Sequence, residues 1–249
     1  MKNRKTLGFC FIFMIMLLLG NMSFADATSD FSYQDYLKGV KEGWISKNLS
    51  YQELVSINKN AEMYFNEKNF TKVYEIRNFQ DFDDFKNGSI VPLANVNKFH
   101  PGDVFIMNSK ASFGLSGHSA MALSNVDFIS IHGKGTNPTI FNREDFKKNY
   151  GGRTIKVYRS NNYYWGVAAA QWANKTYRNN EKKFTYAVEP NLGNIYRTYC
   201  SKMIYHSYLY GAGKQSTKFL TDNSKIIHPY LLDWYIKIGK HGEYDGYSK

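Results

Sequence analysis

Three short apolar segments decide the fold, namely residues 104–107 (VFIM), 118–123 (HSAMAL) and 128–132 (FISIH). A Pro-Gly-Asp turn signal at 101–103 precedes the first segment, and Ser-Asn separates the second from the third. Connections this short favour antiparallel pairing, because parallel strands need a longer crossover that is usually a helix. We therefore predict an antiparallel meander, with a fourth strand at residues 154–158.

Helices are predicted on both sides of these strands. Apolar residues recur at helical spacing between positions 31 and 75, and again at 164–177 and 199–210. The last helix would bury Cys200, Met203, Ile204, Ser207 and Tyr208, which follow i, i+3, i+4, i+7, i+8. Cys200 would therefore open the buried face of that helix and point at the sheet. The predicted class is α+β, an antiparallel sheet packed against helices with a small helical N-terminal segment.

The composition is that of a globular protein with a sizeable core. The chain has 249 residues, of which 43% are hydrophobic and 17% aromatic, and this excludes disordered, collagen-like and coiled-coil proteins. With 32 basic and 21 acidic residues, the formal charge is +11. Such a charge favours anionic partners: a substrate, a cell-wall polymer, a lipid headgroup or a nucleic acid.

The N-terminus predicts export. Basic residues precede an apolar run at 7–19 and small residues around Ala25 and Ala27, which is typical of a cleavable signal peptide spanning 1–27. An uncleaved anchor is the alternative. The mature chain would be secreted or associated with the cell envelope, with no transmembrane segment, and nucleic acid is then a poor partner. We divide it into a helical segment at 28–95, a main domain at 96–238 and a flexible tail at 239–249.

Signal cleavage would leave a single cysteine, Cys200, which has no partner for an internal disulfide. It has two interpretations: a packed core residue, or a nucleophile at a helix N-terminus, where the helix dipole lowers the thiol pKa. His118 and His132 begin and end neighbouring predicted strands, so both could lie near the thiol. A zinc site made by these three residues with Asp103 is a rival, but paired ligand spacings are absent.

The motifs at 101–104 (PGDV), 117–121 (GHSAM) and 199–205 (YCSKMIY) resemble the circularly permuted branch of the NlpC-type papain-like hydrolases. The chain looks most like the bacterial YiiX/YebB-like members and, more distantly, lecithin retinol acyltransferase. In this branch the histidine-bearing strands precede the cysteine helix, as they do here. The resemblance spans about residues 99–212.

The resemblance implies Cys200 as the nucleophile, His118 as the general base and His132 as the orienting group. Tyr199 and Lys202 flank the cysteine pair and are candidate oxyanion or substrate contacts, although a lysine at 202 departs from the family's pattern, in which an acidic residue often follows Cys-Ser. It implies a papain-like thiol hydrolase or amidase that forms an acyl-enzyme and needs no cofactor or metal. Export and positive charge favour cell-wall peptides as the substrate. The alternatives are a lipid ester or N-acyl amide hydrolase or acyltransferase, and a non-catalytic wall- or lipid-binding module. The oligomeric state is not predicted.

Overall fold

The computed structural model describes residues 31–66, 74–76, 99–109, 113–150, 153, 155–218 and 225–240. The predicted signal peptide at 1–27 lies outside the described residues, as does the end of the chain at 241–249. Within these described ranges, no helix is both long enough and apolar enough to cross a bilayer.

An antiparallel sheet forms the centre of the molecule. Its strands are β1 (Tyr74–Ile76), β2 (Val104–Met107), β3 (His118–Ala122), β4 (Asp127–Ser130), β5 (Thr139–Asn142), β6 (Ile155–Ser160) and β9 (Ile238–Lys240). The order is β1-β6-β2-β3-β4-β5, and β9 pairs with the end of β6 that β1 leaves open. Two further short strands, β7 (Thr185–Tyr186) and β8 (Arg197–Thr198), form a separate parallel pair.

The predicted meander is confirmed. β2 pairs antiparallel with β3, so that Met107 lies opposite His118, and β3 pairs antiparallel with β4, so that Ala122 lies opposite Phe128. The fourth predicted strand is also present as β6, which lies beside β2 rather than at the far edge. The α+β class is therefore confirmed.

Helices cover the sheet. They are α1 (Tyr33–Lys41), α2 (Tyr51–Asn66), α3 (Arg143–Tyr150), α4 (Tyr163–Tyr177), α5 (Cys200–Ser207) and α6 (Leu232–Tyr235). A π-helical turn, Tyr208–Ala212, continues α5 and packs on α4. Helix α4 begins with Asn162, whose side chain accepts a hydrogen bond from the backbone amide of Tyr164.

The central strands β2, β3 and β6 are buried on both faces of the sheet. Alternate residues of β2 enter different clusters: Val104 and Ile106 belong to the larger core, and Phe105 and Met107 to an aromatic cluster that α3 covers. Helix α5 packs against β3 on the larger-core side. This arrangement brings the first residue of α5, Cys200, close to the start of β3.

The Pro-Gly-Asp motif has a packing role at the start of β2. Gly102 has φ +88°, and a Cβ atom there would lie 2.3 Å from the Cα of Gly166 in α4. The carbonyl of Gly102 also accepts a hydrogen bond of 2.7 Å from the Tyr208 hydroxyl. Only glycine suits the positive φ and the close approach to Gly166, so this turn holds α4 and the π-helical turn after α5 against the sheet.

The N-terminal helices pack on the same core as the main domain, since Leu54 and Phe65 of α2 belong to the cluster that contains Met203. Residues 239 and 240 lie in β9, so the sheet extends into the predicted tail. The domain boundaries themselves stay a prediction.

Candidate active site

A cavity of about 230 Å³ lies at the start of β3, beside the N-terminus of α5. Cys200, His118 and His132 all line it, so the structure brings the three predicted residues together. Two residues that the sequence did not single out, Tyr150 and Arg153, line it as well.

Cys200 is the first residue of α5 and is 6% exposed. Burial raises the pKa of its thiol, whereas nearby hydroxyl and amide groups of Ser119 and Ser201 lower it by less. The expectation of a lowered thiol pKa is therefore wrong in direction, because desolvation outweighs these hydrogen bonds. The resting side chain is a neutral thiol.

The hydrogen bonds of His118 define its tautomer. Ser130 donates its only hydroxyl hydrogen to the carbonyl of Ser119, at 2.7 Å. The 2.9 Å contact between the Ser130 Oγ and the His118 Nε2 therefore requires that Nε2 carry the hydrogen and donate it. The Nδ1 of His118 is then the nitrogen with a free lone pair, which is the atom that a general base uses.

Tyr150 connects the two histidines. Its hydroxyl lies 3.0 Å from the Nε2 of His118 and 2.9 Å from the Nδ1 of His132. Because the Nε2 of His118 is a donor, the Tyr150 oxygen accepts from it and donates its own hydrogen to His132. The rings of His118 and His132 lie 5.9 Å apart and nearly parallel. His132 is therefore linked to His118 only through the Tyr150 hydroxyl among the described contacts. The groups that bind the Nε2 of His118 directly are the hydroxyls of Ser130 and Tyr150.

Both imidazoles are neutral at neutral pH. Burial, followed by the charges of His132 and Arg153, lowers the pKa of His118 to about 3. Burial and the charge of Arg153 also lower the pKa of His132. The cavity thus holds a neutral thiol beside neutral imidazoles instead of a thiolate–imidazolium pair. Proton transfer from the thiol would accompany nucleophilic attack and not precede it.

The structure places Tyr199 and Lys202 away from the cavity. Both side chains are fully buried, and the Tyr199 hydroxyl accepts a hydrogen bond of 2.9 Å from the backbone amide of Ile227. The Lys202 ammonium donates to the carbonyls of Asn191, at 2.6 Å, and Arg197, at 2.8 Å. Neither polar group is available to a substrate, because each stabilises a neighbouring loop.

The four suggested zinc ligands are not assembled. Both carboxylate oxygens of Asp103 bind Arg159, at 2.9 and 2.8 Å, and the pair is buried. Among the residues that the structure describes, no group of three or more histidine, cysteine or acidic side chains could hold a metal ion. Asp103 instead anchors the Pro-Gly-Asp turn to β6.

Sequence reasoning missed helix α3 and with it Tyr150. The sequence did contain signals for this helix: an asparagine at 142, a favoured N-cap residue, acidic residues in the first turn, and two glycines after Tyr150. In the structure the Asn142 side chain accepts a hydrogen bond from the amide of Asp145. Ser130 carries no such signal, because a serine inside an apolar strand has no distinctive pattern.

The chain matches the family described as lipoprotein N-acylation protein LnsA-like over residues 60–238. It belongs to this LnsA-like family. The match includes Cys200, His118, His132 and Tyr150, and so covers the whole cavity described above. The family description concerns lipoprotein N-acylation. The sequence motifs instead resemble the YiiX/YebB-like branch of the NlpC-type hydrolases, which these comparisons did not identify.

One curated relative of this LnsA-like chain is an uncharacterized 30.3 kDa protein of Bacillus thuringiensis. The two are 27% identical over 139 residues, which cover 53% of this chain and 51% of the relative. The chain thus spans about half the length of the curated relative that it matches. No solved structure matches the chain.

Proposed function

We propose that this protein is a thiol-dependent acyltransferase that moves a fatty acyl group from a lipid ester to the amino group of a lipoprotein. The observation that carries the proposal is the shared cavity of Cys200 and His118, in a chain whose family is described by lipoprotein N-acylation. The earlier preference for cell-wall peptides gives way to the lipid alternative, because the family description concerns acylation.

The first half-reaction would form a thioester. The Nδ1 of His118 accepts the thiol proton as the sulfur of Cys200 attacks the ester carbonyl. The tetrahedral intermediate collapses, the ester C–O bond breaks, and His118 returns the proton to the leaving alkoxide. The products are an acylated Cys200 and an alcohol.

The second half-reaction would regenerate the thiol. A neutral amine attacks the thioester carbonyl, and the amine loses a proton to His118. The C–S bond breaks, the sulfur takes that proton, and an amide leaves. The backbone amide of Cys200 belongs to the first turn of α5, whose amides have no intrahelical partner, and it would stabilise the oxyanion in both steps.

The hydrogen bonds of His118 suit this role. Ser130 and Tyr150 both accept from its Nε2, so the ring presents Nδ1 in the unprotonated form. His132 acts on the base only through the Tyr150 hydroxyl. We assign Ser130, Tyr150 and His132 as positioning residues, and Cys200 and His118 as the catalytic pair.

The walls of the cavity also favour a lipid. Phe113, Leu115 and Tyr186 line it beside the thiol, and they offer apolar surface to an acyl chain. A lipid and a lipoprotein would both place the protein at the cell envelope, as the predicted signal peptide does. A non-catalytic lipid-binding module would show the same walls without turnover.

The test is N-acylation of a synthetic lipopeptide with a free N-terminal amine by purified protein and vesicles that contain both phospholipid and diacylglycerol as lipid esters. Cys200→Ala should abolish product, and His118→Gln should lower the rate at least about 100-fold, as for loss of a general base. The matched control is His100→Gln, a half-buried histidine outside this cavity, which should retain the wild-type rate. Product from Cys200→Ala would contradict the proposal, and binding of lipid without any turnover by the wild type would favour the binding module.

A further inference from the structure

Arg153 brings a positive charge to the described lining of the cavity. It is half-buried, it lines the cavity, and its guanidinium carbon lies 5.7 Å from the centre of the Tyr150 ring. None of the described residues that line the cavity has an acidic side chain. Within the described ranges, Arg153 also forms no ion pair.

The two histidines do not change the net charge of this described lining. Both are neutral near pH 7, so the guanidinium is the one formal charge among the described residues that line the cavity. A cation in a confined, partly apolar cavity is stabilised when a ligand brings a matching anion. A planar guanidinium prefers carboxylate and phosphate groups, to which it can donate two parallel hydrogen bonds.

We propose that the acyl donor is a glycerophospholipid whose phosphodiester binds Arg153, with one acyl chain against the wall of Phe113 and Leu115. This inference rests on the proposed function and adds the donor class and the residue that selects it. In such a lipid the scissile ester and the phosphate are separated only by the glycerol backbone. Arg153 and Cys200 lie in one cavity of about 230 Å³, so both groups can be engaged at once.

The proposed contact would orient the ester. With the phosphate held by Arg153 and the chain held by apolar side chains, the ester carbonyl between them faces the thiol of Cys200. An uncharged diacylglycerol has the same esters and chains but lacks the phosphate. It would therefore enter the cavity without this anchor and react more slowly.

The experiment compares phosphatidylglycerol and diacylglycerol of identical chains as donors in neutral detergent micelles. The measured quantity is the rate of acyl-thioester formation on Cys200, followed by intact mass. The wild type should favour phosphatidylglycerol by about tenfold or more, and Arg153→Gln should reduce that ratio by about the same factor, as expected for loss of a charge-assisted hydrogen bond. Arg153→Lys, which keeps the charge but not the fork, should give an intermediate ratio.

The control is Lys148→Gln, which removes one positive charge from an exposed position of α3 outside the cavity and should leave the donor ratio unchanged. An equal preference for the two donors in the wild type, or a ratio that Arg153→Gln leaves intact, would overturn the inference while the thioester chemistry stands. Inorganic phosphate that inhibits the reactions of both donors to the same extent would also overturn the inference. Such inhibition would indicate a site for free phosphate and not for the donor's phosphodiester. No thioester from either lipid would overturn the proposed function as well.

Discussion

Removal of the Tyr150 hydroxyl tests the chain of hydrogen bonds between the histidines. Tyr150→Phe deletes one oxygen that contacts the Nε2 of His118, at 3.0 Å, and the Nδ1 of His132, at 2.9 Å. A neutral buried hydrogen bond contributes about 0.5–1.5 kcal/mol, so two of them predict a stability loss of about 1–3 kcal/mol. Ser130 still accepts from the Nε2 of His118, which keeps the ring in its tautomer. We therefore expect a rate loss of only about tenfold.

The double variant Ser130→Ala/Tyr150→Phe should lose much more. It leaves the Nε2–H of His118 without an acceptor in a buried position, which costs about 1–3 kcal/mol beyond the single effects. We therefore expect the combined rate loss to exceed the product of the two single losses by about 5-fold to 140-fold, as a double-mutant cycle would measure. The assay is single-turnover acylation of Cys200, with urea unfolding of each variant.

Tyr177→Phe is the matched control. Tyr177 is fully buried, and its hydroxyl forms no hydrogen bond to any part of the chain that the structure describes. Its removal should change neither rate nor stability by more than about 0.5 kcal/mol. A wild-type rate in Tyr150→Phe, together with single losses that simply multiply in the double variant, would refute the assigned positioning roles.

Three further predictions concern pH and the core. The pKa values of His118 and His228 are about 3 and that of His206 is about 4, all below the unfolded value of 6.5. The folding stability is therefore full above pH 6.5, and below that pH it falls by up to about 1.4 kcal/mol per pH unit and histidine. Urea unfolding at pH 7.5 and 5.5 measures this loss, and equal stability at the two pH values would contradict these pKa values. The pH profile of kcat/KM should lack an acid limb near 6.5, and a limb there would contradict a neutral His118. Asp103→Asn should cost about 3–5 kcal/mol in unfolding free energy because it leaves the buried Arg159 unpaired, and a loss under 1 kcal/mol would show that the pair is dispensable.

Periodicity predicted the parts of the fold that depend on local pattern. The expected strand at 104–107 is β2 as observed, and the expected helix at 164–177 is α4 with one residue more. The helix at 199–210 is present as α5 and its π-helical extension. These segments bury apolar residues at a regular period, which is the property that a sequence reveals directly.

The same reasoning could not predict how α5 is surrounded. Lys202 was expected to contact the oxyanion or the substrate, but the structure buries it, together with His206, under the loop at 189–197. A single sequence does not reveal which loop will supply the carbonyls that make a buried lysine tolerable. For this reason the sequence did not show that the Lys202 ammonium binds loop carbonyls, or that Arg153 lines the cavity beside Cys200.

The sequence predicted that Cys200, His118 and His132 lie close together, but not the hydrogen bonds that link the two histidines. The order of the motifs predicted that these three residues share one site, and all three line the same cavity. The link through Tyr150 depends on how α3 packs on the aromatic cluster of the sheet. This packing is a long-range contact, and no local sequence pattern predicts it. The raised pKa of Cys200 likewise follows from burial, which the helix N-terminus alone does not reveal.

The central claim is that Cys200 carries the acyl group in transit. Wild-type protein incubated with phospholipid and no amine acceptor should gain the mass of one acyl chain, located on Cys200 by peptide mapping and removed by neutral hydroxylamine. Lipopeptide added to the isolated adduct should receive the chain as an amide. Acylation of the lipopeptide without any such adduct, or an adduct on another residue that transfers equally well in Cys200→Ala, would contradict the account.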